Sequence, residues 1–546
     1  MISTMQMDSN EDLQRALLPV PAIEMAESLE TGDHAQGDGD SDGVNRAATK
    51  KRWYHNAHQI TAMISNFSTS YNVVNISLAL PMLKELYSGS TDEDIALVAS
   101  SLLAGMIFGQ LVGGALGDSW LGRMGALRLV MALQIFASVA SAFVGIDKKT
   151  SAESLFLWLS AWRFVLGIGC GGVYPLAAVI SAEEGNREQE QVDDTRDAQE
   201  RNDGKSSSVQ RVVLTFSMQG VGFVCVPLVA VLLFSFSSNL NVIWRTMLGI
   251  GALPGAILMC IQCGQRYRDH RVLPVDEPSP DAVTETEIED EPVTSNETDA
   301  IIIDEGGWLR SLFHEPGLGR KVLGTAGTWF LFDVVYYGNT IFQPIVVEAA
   351  FGKNSGSNRI DLLRQTAIDS LILSSIALPG YAMAGIVMGK KTLCVRQTPR
   401  YVMLQGFAAM TILYATIGFN WNYLRGDPAI LVFLYGMTFF FANYGPNTTT
   451  FILPSLIFEE DHRATWNGVA AASGKLGALT GATLFAPAAD ILGDNMVMLI
   501  CAGVALVAYV LTFCAIPRQQ NLEYSTTPGN ATNDAITTVP SAGEIA

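Results

Sequence analysis

Apolar runs of roughly 18–25 residues recur from about residue 57 to about residue 517 of the 546-residue chain. A helix rises ~1.5 Å per residue and the hydrocarbon layer of a bilayer is ~30 Å thick, so each run is long enough to span it. In lipid every backbone N–H and C=O must be satisfied within the protein, and runs of this length satisfy them as helices. Twelve spans are predicted, over about 57–86, 94–117, 124–145, 155–182, 209–236, 243–263, 322–350, 366–388, 399–419, 427–457, 467–491 and 495–517. Only 16% of residues are charged, against about a quarter in an ordinary soluble domain, as expected of an all-α protein embedded in a lipid bilayer.

Six runs precede and six follow a polar connection. The expected organisation is an acidic disordered tail at 1–52, a six-helix half at 53–263, an acidic central loop at 264–320, a second six-helix half at 321–517 and a disordered tail at 518–546. Paired halves of this kind hold a substrate between them near the membrane midplane. The formal net charge of −19 belongs to two water-exposed segments. Residues 1–49 hold 10 acids and 2 bases, and residues 272–309 hold 12 acids and no base. The remainder is close to neutral, so net charge carries no information on substrate, and no basic patch of the nucleic-acid kind occurs. With both termini inside, about 22 Lys and Arg flank the inner ends of the spans and about 8 the outer ends, which predicts cytoplasmic termini and a cytoplasmic central loop. Residues 185–208 and 272–309 read as inserted solvated linkers, with a regulatory or partner-binding segment as the alternative.

The seven cysteines lie in or beside apolar runs, and the Cys260–Cys263 pair has no second pair or histidine cluster to complete a metal site. The six histidines are scattered, and there is no nucleotide loop or nucleophile elbow. These features argue against an enzyme, and neither a cofactor nor a metal is expected.

Charge inside a bilayer is costly and needs a partner or water. Four such groups stand out: Arg163, Glu183, Asp333 and Lys475. Arg163 opens a glycine-rich stretch with glycines at 167, 169, 171 and 172 that permit close helix contact, and Glu183 falls at the inner end of the same span, so both read as structural. Trp329, Asp333 and Tyr337 follow at i, i+4 and i+8. Four residues turn ~400°, so the three stay within ~80° on one face, carrying an indole, a carboxylate and a phenol. A lipid-facing stripe would not carry an acid, so this face is expected to line a central cavity. Lys475 lies mid-span in a small-residue helix, where it cannot snorkel, and needs an anion: substrate, Asp333, or each in turn. Gly445 and Pro446 should distort the tenth span beside Asn447 and free backbone to line a cavity, and Gln219 offers a neutral donor and acceptor in the fifth.

Several blocks resemble the phosphate:proton symporter family of the major facilitator superfamily: Gly171-Gly172-Val173-Tyr174-Pro175-Leu176, Met218-Gln219-Gly220, Trp244-Arg245 to Pro254, Gly324-Thr325-Ala326-Gly327-Thr328-Trp329, Gly445-Pro446-Asn447-Thr448-Thr449-Thr450-Phe451 and Ala472-Ser473-Gly474-Lys475. The resemblance implies a major facilitator fold of 12 transmembrane helices in two six-helix halves, acting as a monomeric transport unit. It implies that inorganic phosphate, or a similar small anion, is held by Tyr174, Gln219, Trp329, Asp333, Tyr337, Asn447 and Lys475, with Asp333 in proton coupling. The Gly113–Arg123 stretch is similar to the general facilitator loop between spans two and three, which makes Asp118 and Arg123 gate charges. Arg463 matches the arginine of an inner-gate motif.

The chain also departs from that family. Val173 stands where the motif has an acid, and Ser68-Thr69-Ser70-Tyr71-Asn72 stands where the family's first span carries two. Near the tenth-span exit the chain has Leu456 and Glu459-Glu460-Asp461. The binding side is therefore retained and the coupling side altered. Proton symport, uniport or coupling to another ion, carriage of another small anion, and a non-transporting phosphate receptor all remain open. The plasma membrane is the expected location, with a vacuolar or other organelle membrane as the alternative.

Overall fold

The computed structural model describes residues 41–146, 151–193, 201–271, 313–351, 358–392 and 395–518. They form α1 (Ser41–Leu86), α2 (Asp92–Gly117), α3 (Gly122–Phe143), α4 (Ala152–Asp193), α5 (Arg201–Phe236) and α6 in two segments (Leu240–Ile250 and Leu253–Arg271). In the second half, α7 runs from Leu318–Val322 through a π-helical segment, Leu323–Gly327, into Thr328–Phe351. Then follow α8 (Arg359–Val387), α9 (Pro399–Phe419), α10 (Pro428–Ala442, a π-helical segment Asn443–Asn447, and Thr448–Ile457), α11 (Arg463–Leu492) and α12 (Asp494–Ala515).

Local chemistry sets several of these boundaries. Thr91 and Asp94 form a capping box that starts α2, each side chain bonding the other's backbone N–H. Thr398 caps α9 ahead of Pro399, whose missing N–H costs nothing in the first turn. The helices also run past the apolar runs. α1 begins at Ser41, inside the segment read as a tail. α4 continues to Asp193 and α5 starts at Arg201, so much of 185–208 is helical rather than loop. Glu, Gln, Ala and Arg favour helix whether or not lipid surrounds them, and hydropathy is blind to that. The acidic stretch 272–309 and the tails 1–40 and 519–546 lie outside the described residues.

Among the described residues, nine helical segments are individually long and apolar enough to cross a membrane. Polar residues of α1, α7 and α11 are buried rather than lipid-facing. α1 buries Ser65, Asn66, Ser68, Thr69, Asn72 and Asn75; α7 buries Thr325, Thr328 and Asp333; α11 buries Asn467 and Lys475. Lipid-facing positions elsewhere carry large apolar side chains such as Phe136, Trp158, Ile412 and Phe433. The two six-helix halves meet along α2 with α11 and α5 with α8, while α4, α5, α7, α10 and α11 surround the interior. Glycine lets backbones touch where α7 crosses α11: a Cβ on Gly477 would fall 2.2 Å from the Phe330 carbonyl oxygen.

Candidate functional site

Two of the four charges expected inside the membrane, Lys475 and Asp333, meet. Lys475 on α11 donates to Asp333 Oδ2 (2.9 Å) and to the Tyr337 hydroxyl (2.9 Å) on α7. Both ions are buried, Lys475 to 3% and Asp333 to 2% exposure, so neither faces acyl chains. The ammonium also lies 4.4 Å from the Tyr337 ring centroid and 5.9 Å from that of Tyr174 on α4. The 329–333–337 stripe does form one face of α7, and α11 covers it. Trp329 packs against Gly474, where a Cβ would fall 2.4 Å from the indole Cδ1. Gly474→Val should therefore unseat the indole and cost about 1–3 kcal/mol of stability through overpacking. Thermal unfolding of the purified variant in detergent checks this.

Neutral donors from both halves complete the ring. Tyr174 donates to Gln219 Oε1 on α5 (3.2 Å), and Gln219 Nε2 points at the Tyr381 hydroxyl on α8 (3.5 Å). Asn447 Nδ2 donates to the same hydroxyl (2.9 Å) and to Asn443 Oδ1 (2.7 Å). The distortion expected at Gly445–Pro446 is the π-helical segment Asn443–Asn447, in which Thr448 Oγ1 donates back five residues to the Asn443 carbonyl. Such bulges turn an extra side chain inward and recur at functional sites. Phe216 and Phe451 stack at 4.5 Å between centroids, and Phe216 also lies against Tyr381. A cavity of about 120 Å³ opens next to this cluster, lined by Tyr336, Tyr337, Tyr381, Asn443, Phe439 and Ser77 among others. Tyr337 is shared: its hydroxyl bonds Lys475 and its side chain lines the cavity.

All seven residues named from the motifs thus lie in one cluster. Tyr381, Tyr336 and Asn443 belong to it and were missed. A signal for Tyr381 existed: Ser370, Ser374 and Tyr381 at i, i+4 and i+11 share a face of α8. An isolated tyrosine in an apolar helix otherwise reads as ordinary core.

At one end of the bundle, charges join the two halves. Asp118, just after α2, accepts hydrogen bonds from Thr465 N (2.6 Å), Thr465 Oγ1 (2.7 Å) and Ala464 N (3.3 Å) at the start of α11. It therefore caps a helix of the other half, where a negative charge is favoured. Burial pushes the Asp118 carboxyl above the ordinary carboxylate range, against the lowering effect of the Thr465 bonds and Arg123. Arg123 lies 3.4 Å from Asp118 and 3.0 Å from Glu183, and donates to the Glu460 carbonyl across the interface (2.9 Å). Arg463, expected in the same gate, donates to the Phe458 carbonyl within its own half (3.2 Å). Asp118→Ala should speed amide exchange at Ala464 and Thr465 about 5–30-fold, the equivalent of a lost cap worth ~1–2 kcal/mol, as read by hydrogen exchange with mass spectrometry. At the other end, Glu85 on α1 and Arg359 on α8 pair at 2.6 Å, also between halves. Arg163 is fully buried; it bonds Asn75 Oδ1 (3.2 Å) and the Asn72 carbonyl (2.8 Å), both on α1.

The sequence profile described as Major Facilitator Superfamily matches residues 62–455. The chain belongs to the Major Facilitator Superfamily. Superfamily proteins are membrane transporters, not enzymes, and this member is an integral multi-pass membrane protein. It is 30% identical to the protein named inorganic phosphate transporter 1-1 of Arabidopsis thaliana, over 82% of this chain and 87% of that one. It is 29% identical to the probable inorganic phosphate transporter 1-12 of Oryza sativa subsp. japonica, over 89% and 94%. These relatives belong to the branch of the superfamily that the motifs resemble. Among solved structures, the superfamily proton:xylose symporter XylE matches with a TM-score of 0.58 at 16% identity, over 87% of this chain and 99% of that one. A partially occluded inward-open form of the xylose transporter XylE from E. coli matches at 0.55 and 15%, over 86% and 99%. At such identity the likeness speaks for the fold alone.

Proposed function

We propose that the protein carries inorganic phosphate across a membrane by alternating access, with a proton taken up at Asp333. The observation that carries this reading is the buried Lys475–Asp333–Tyr337 cluster, ringed by neutral donors and acceptors from both halves. Lys475 supplies the charge that an anion needs. Tyr174, Gln219, Trp329, Tyr337 and Asn447 supply neutral contacts to its oxygens. Asp333, once freed from Lys475, accepts from a phosphate hydroxyl or, protonated, donates to an oxygen. Sulfate at neutral pH is a dianion, so beside one ammonium and a protonated Asp333 it would leave the buried site with a net negative charge, which a low-dielectric interior disfavours. The names of the sequence relatives point to the same substrate.

In this reading the Asp118–α11 cap and the Arg123 contacts close the cytoplasmic side. Both termini are cytoplasmic, and the plasma membrane is the membrane of residence. The halves at 53–263 and 321–517 rock about the site. Uptake of labelled phosphate by purified full-length protein in liposomes, under an imposed pH gradient, tests the proposal. The expected result is accumulation that arsenate competes for and sulfate does not. No phosphate uptake, or uptake displaced equally by sulfate, overturns it.

A further inference from the structure

The carboxamides of the site can be followed donor by donor. Asn443 Nδ2 donates to the Ala377 carbonyl (3.3 Å), which leaves its Oδ1 to accept. Asn447 therefore turns its Nδ2 toward Asn443 Oδ1 (2.7 Å), and the same nitrogen donates its other hydrogen to the Tyr381 hydroxyl (2.9 Å). In the first half, Gln219 Oε1 accepts from Tyr174 (3.2 Å), and Gln219 Nε2 faces the Tyr381 hydroxyl at 3.5 Å. The donors that an anion needs from Gln219 and Asn447 are thus already turned onto an oxygen of the protein, and it is the same oxygen for both.

Packing holds that oxygen in place. Tyr381 is 1% exposed, and its ring lies 5.7 Å from that of Phe216 on α5. Helix α5 comes this close because Gly220 has no side chain: a Cβ there would fall 2.6 Å from Tyr381 Cδ2. Tyr336 stands beside it, and both rings line the cavity of about 120 Å³. The amides, by contrast, sit on terminal torsions with broad minima, so their N–H groups can turn away while the phenol stays. Lys475 is arranged in the same manner, with its donors resting on Asp333 and Tyr337. An entering anion must take these donors over from acceptors that belong to the protein.

Resting on the phosphate-carrier reading, we infer that Tyr381 is a positioning residue whose hydroxyl stands in for an anion oxygen in the empty site, holding the Gln219 and Asn447 amides until phosphate takes them. On loading, both N–H groups turn from Tyr381 to phosphate oxygens, and on release they return to it. Tyr381 is thus a competitor of the anion rather than one of its ligands, and this fixes the sign of its effect. A buried donor without an acceptor is costly, so removing the hydroxyl raises the free energy of the empty site. The loaded site, where the amides bond the anion, does not depend on it. Removing the hydroxyl therefore tightens phosphate binding, whereas removing a group that touched the anion would weaken it. Gln219 belongs to one half and Tyr381 to the other, so loading also undoes a tie between α5 and α8.

The test is equilibrium binding of labelled phosphate to purified full-length protein, parent and Tyr381→Phe, with thermal unfolding of each preparation alongside. The expected result is binding about 3–10-fold tighter in the variant, as for one net hydrogen bond lost from the empty site. Tyr381→Met also lacks the hydroxyl and fills the space with a flexible apolar side chain; it is expected to do the same, and it replaces the phenylalanine variant should that not fold. The effect must pass through the amides. Added to Asn447→Leu, Tyr381→Phe is therefore expected to change binding by less than about twofold. Unchanged or weaker binding in a folded variant without the hydroxyl, or the full tightening with Asn447 gone, overturns the inference and leaves phosphate carriage standing. A parent protein that binds no phosphate overturns the carrier reading and the inference with it.

Discussion

Lys475→Gln is expected to lower phosphate uptake by at least about 30-fold. Two effects act together. The anion loses the one cation at the site, and losing a buried, hydrogen-bonded charge partner costs about 2–5 kcal/mol, which is about 1.4 to 3.6 powers of ten in binding. Asp333 is also left as a buried carboxylate with no cation, so it takes up a proton and stays neutral. Saturation binding of labelled phosphate separates these effects from misfolding when set beside the thermal unfolding of the same preparation. A variant that folds but does not bind is the expected outcome. Binding within threefold of the parent protein would remove Lys475 from the site. Lys475→Arg is not a conservative control, because the guanidinium is larger and planar where the structure seats a compact ammonium between Asp333 and Tyr337.

Asp333→Asn is expected to give the complementary defect: binding retained, driven accumulation lost. The carboxamide keeps the shape of the side chain and an acceptor for Lys475, but it cannot take a proton. Under a pH gradient of one unit the parent protein should concentrate phosphate about tenfold, and the variant should stop near the external concentration. Exchange of labelled for unlabelled phosphate across the membrane should persist. The pH profile follows in sign. Loading needs protonated Asp333, so uptake by the parent rises as the loading side is acidified, and the variant loses that dependence. A full gradient-driven response in the variant would take Asp333 out of the coupling step.

The fold was legible because lipid imposes a length rule. Twelve apolar runs separated by a polar connection leave little choice of architecture, and α9 and α10 end where the runs end. Helix ends were not legible where polar residues continue the helix, as at 186–193 of α4, since hydropathy measures solvent preference rather than backbone conformation. Lys475 and Asp333 were legible because buried charge is expensive, and each announced the need for the other. That they meet could be expected, but the 2.9 Å contact depends on glycines at 474 and 477 that bring α11 onto α7, which no pattern in one helix reveals. Tyr381 was missed for the opposite reason. A neutral phenol in a membrane helix raises no alarm, and its role as the shared partner of Gln219 and Asn447 exists only once α5, α8 and α10 are placed together. Arg163 announces a need for partners in the same way, and the acceptors it finds, Asn75 Oδ1 and the Asn72 carbonyl, are neutral. The polar residues of α1 that stand in for acids prove fully engaged with Gln134, Ser138 and Gly251, rather than open to water.

The central claim is that a tetrahedral anion enters between Lys475 and Asp333. Arsenate, a phosphate mimic whose arsenic scatters X-rays anomalously, tests it most directly in crystals of the full chain. The account predicts one anomalous peak inside the membrane region, with arsenate oxygens within about 3 Å of Lys475 Nζ and the ion pair to Asp333 opened. A peak confined to the loops, or an occupied site that leaves the Lys475–Asp333 bond at its present length, would contradict it.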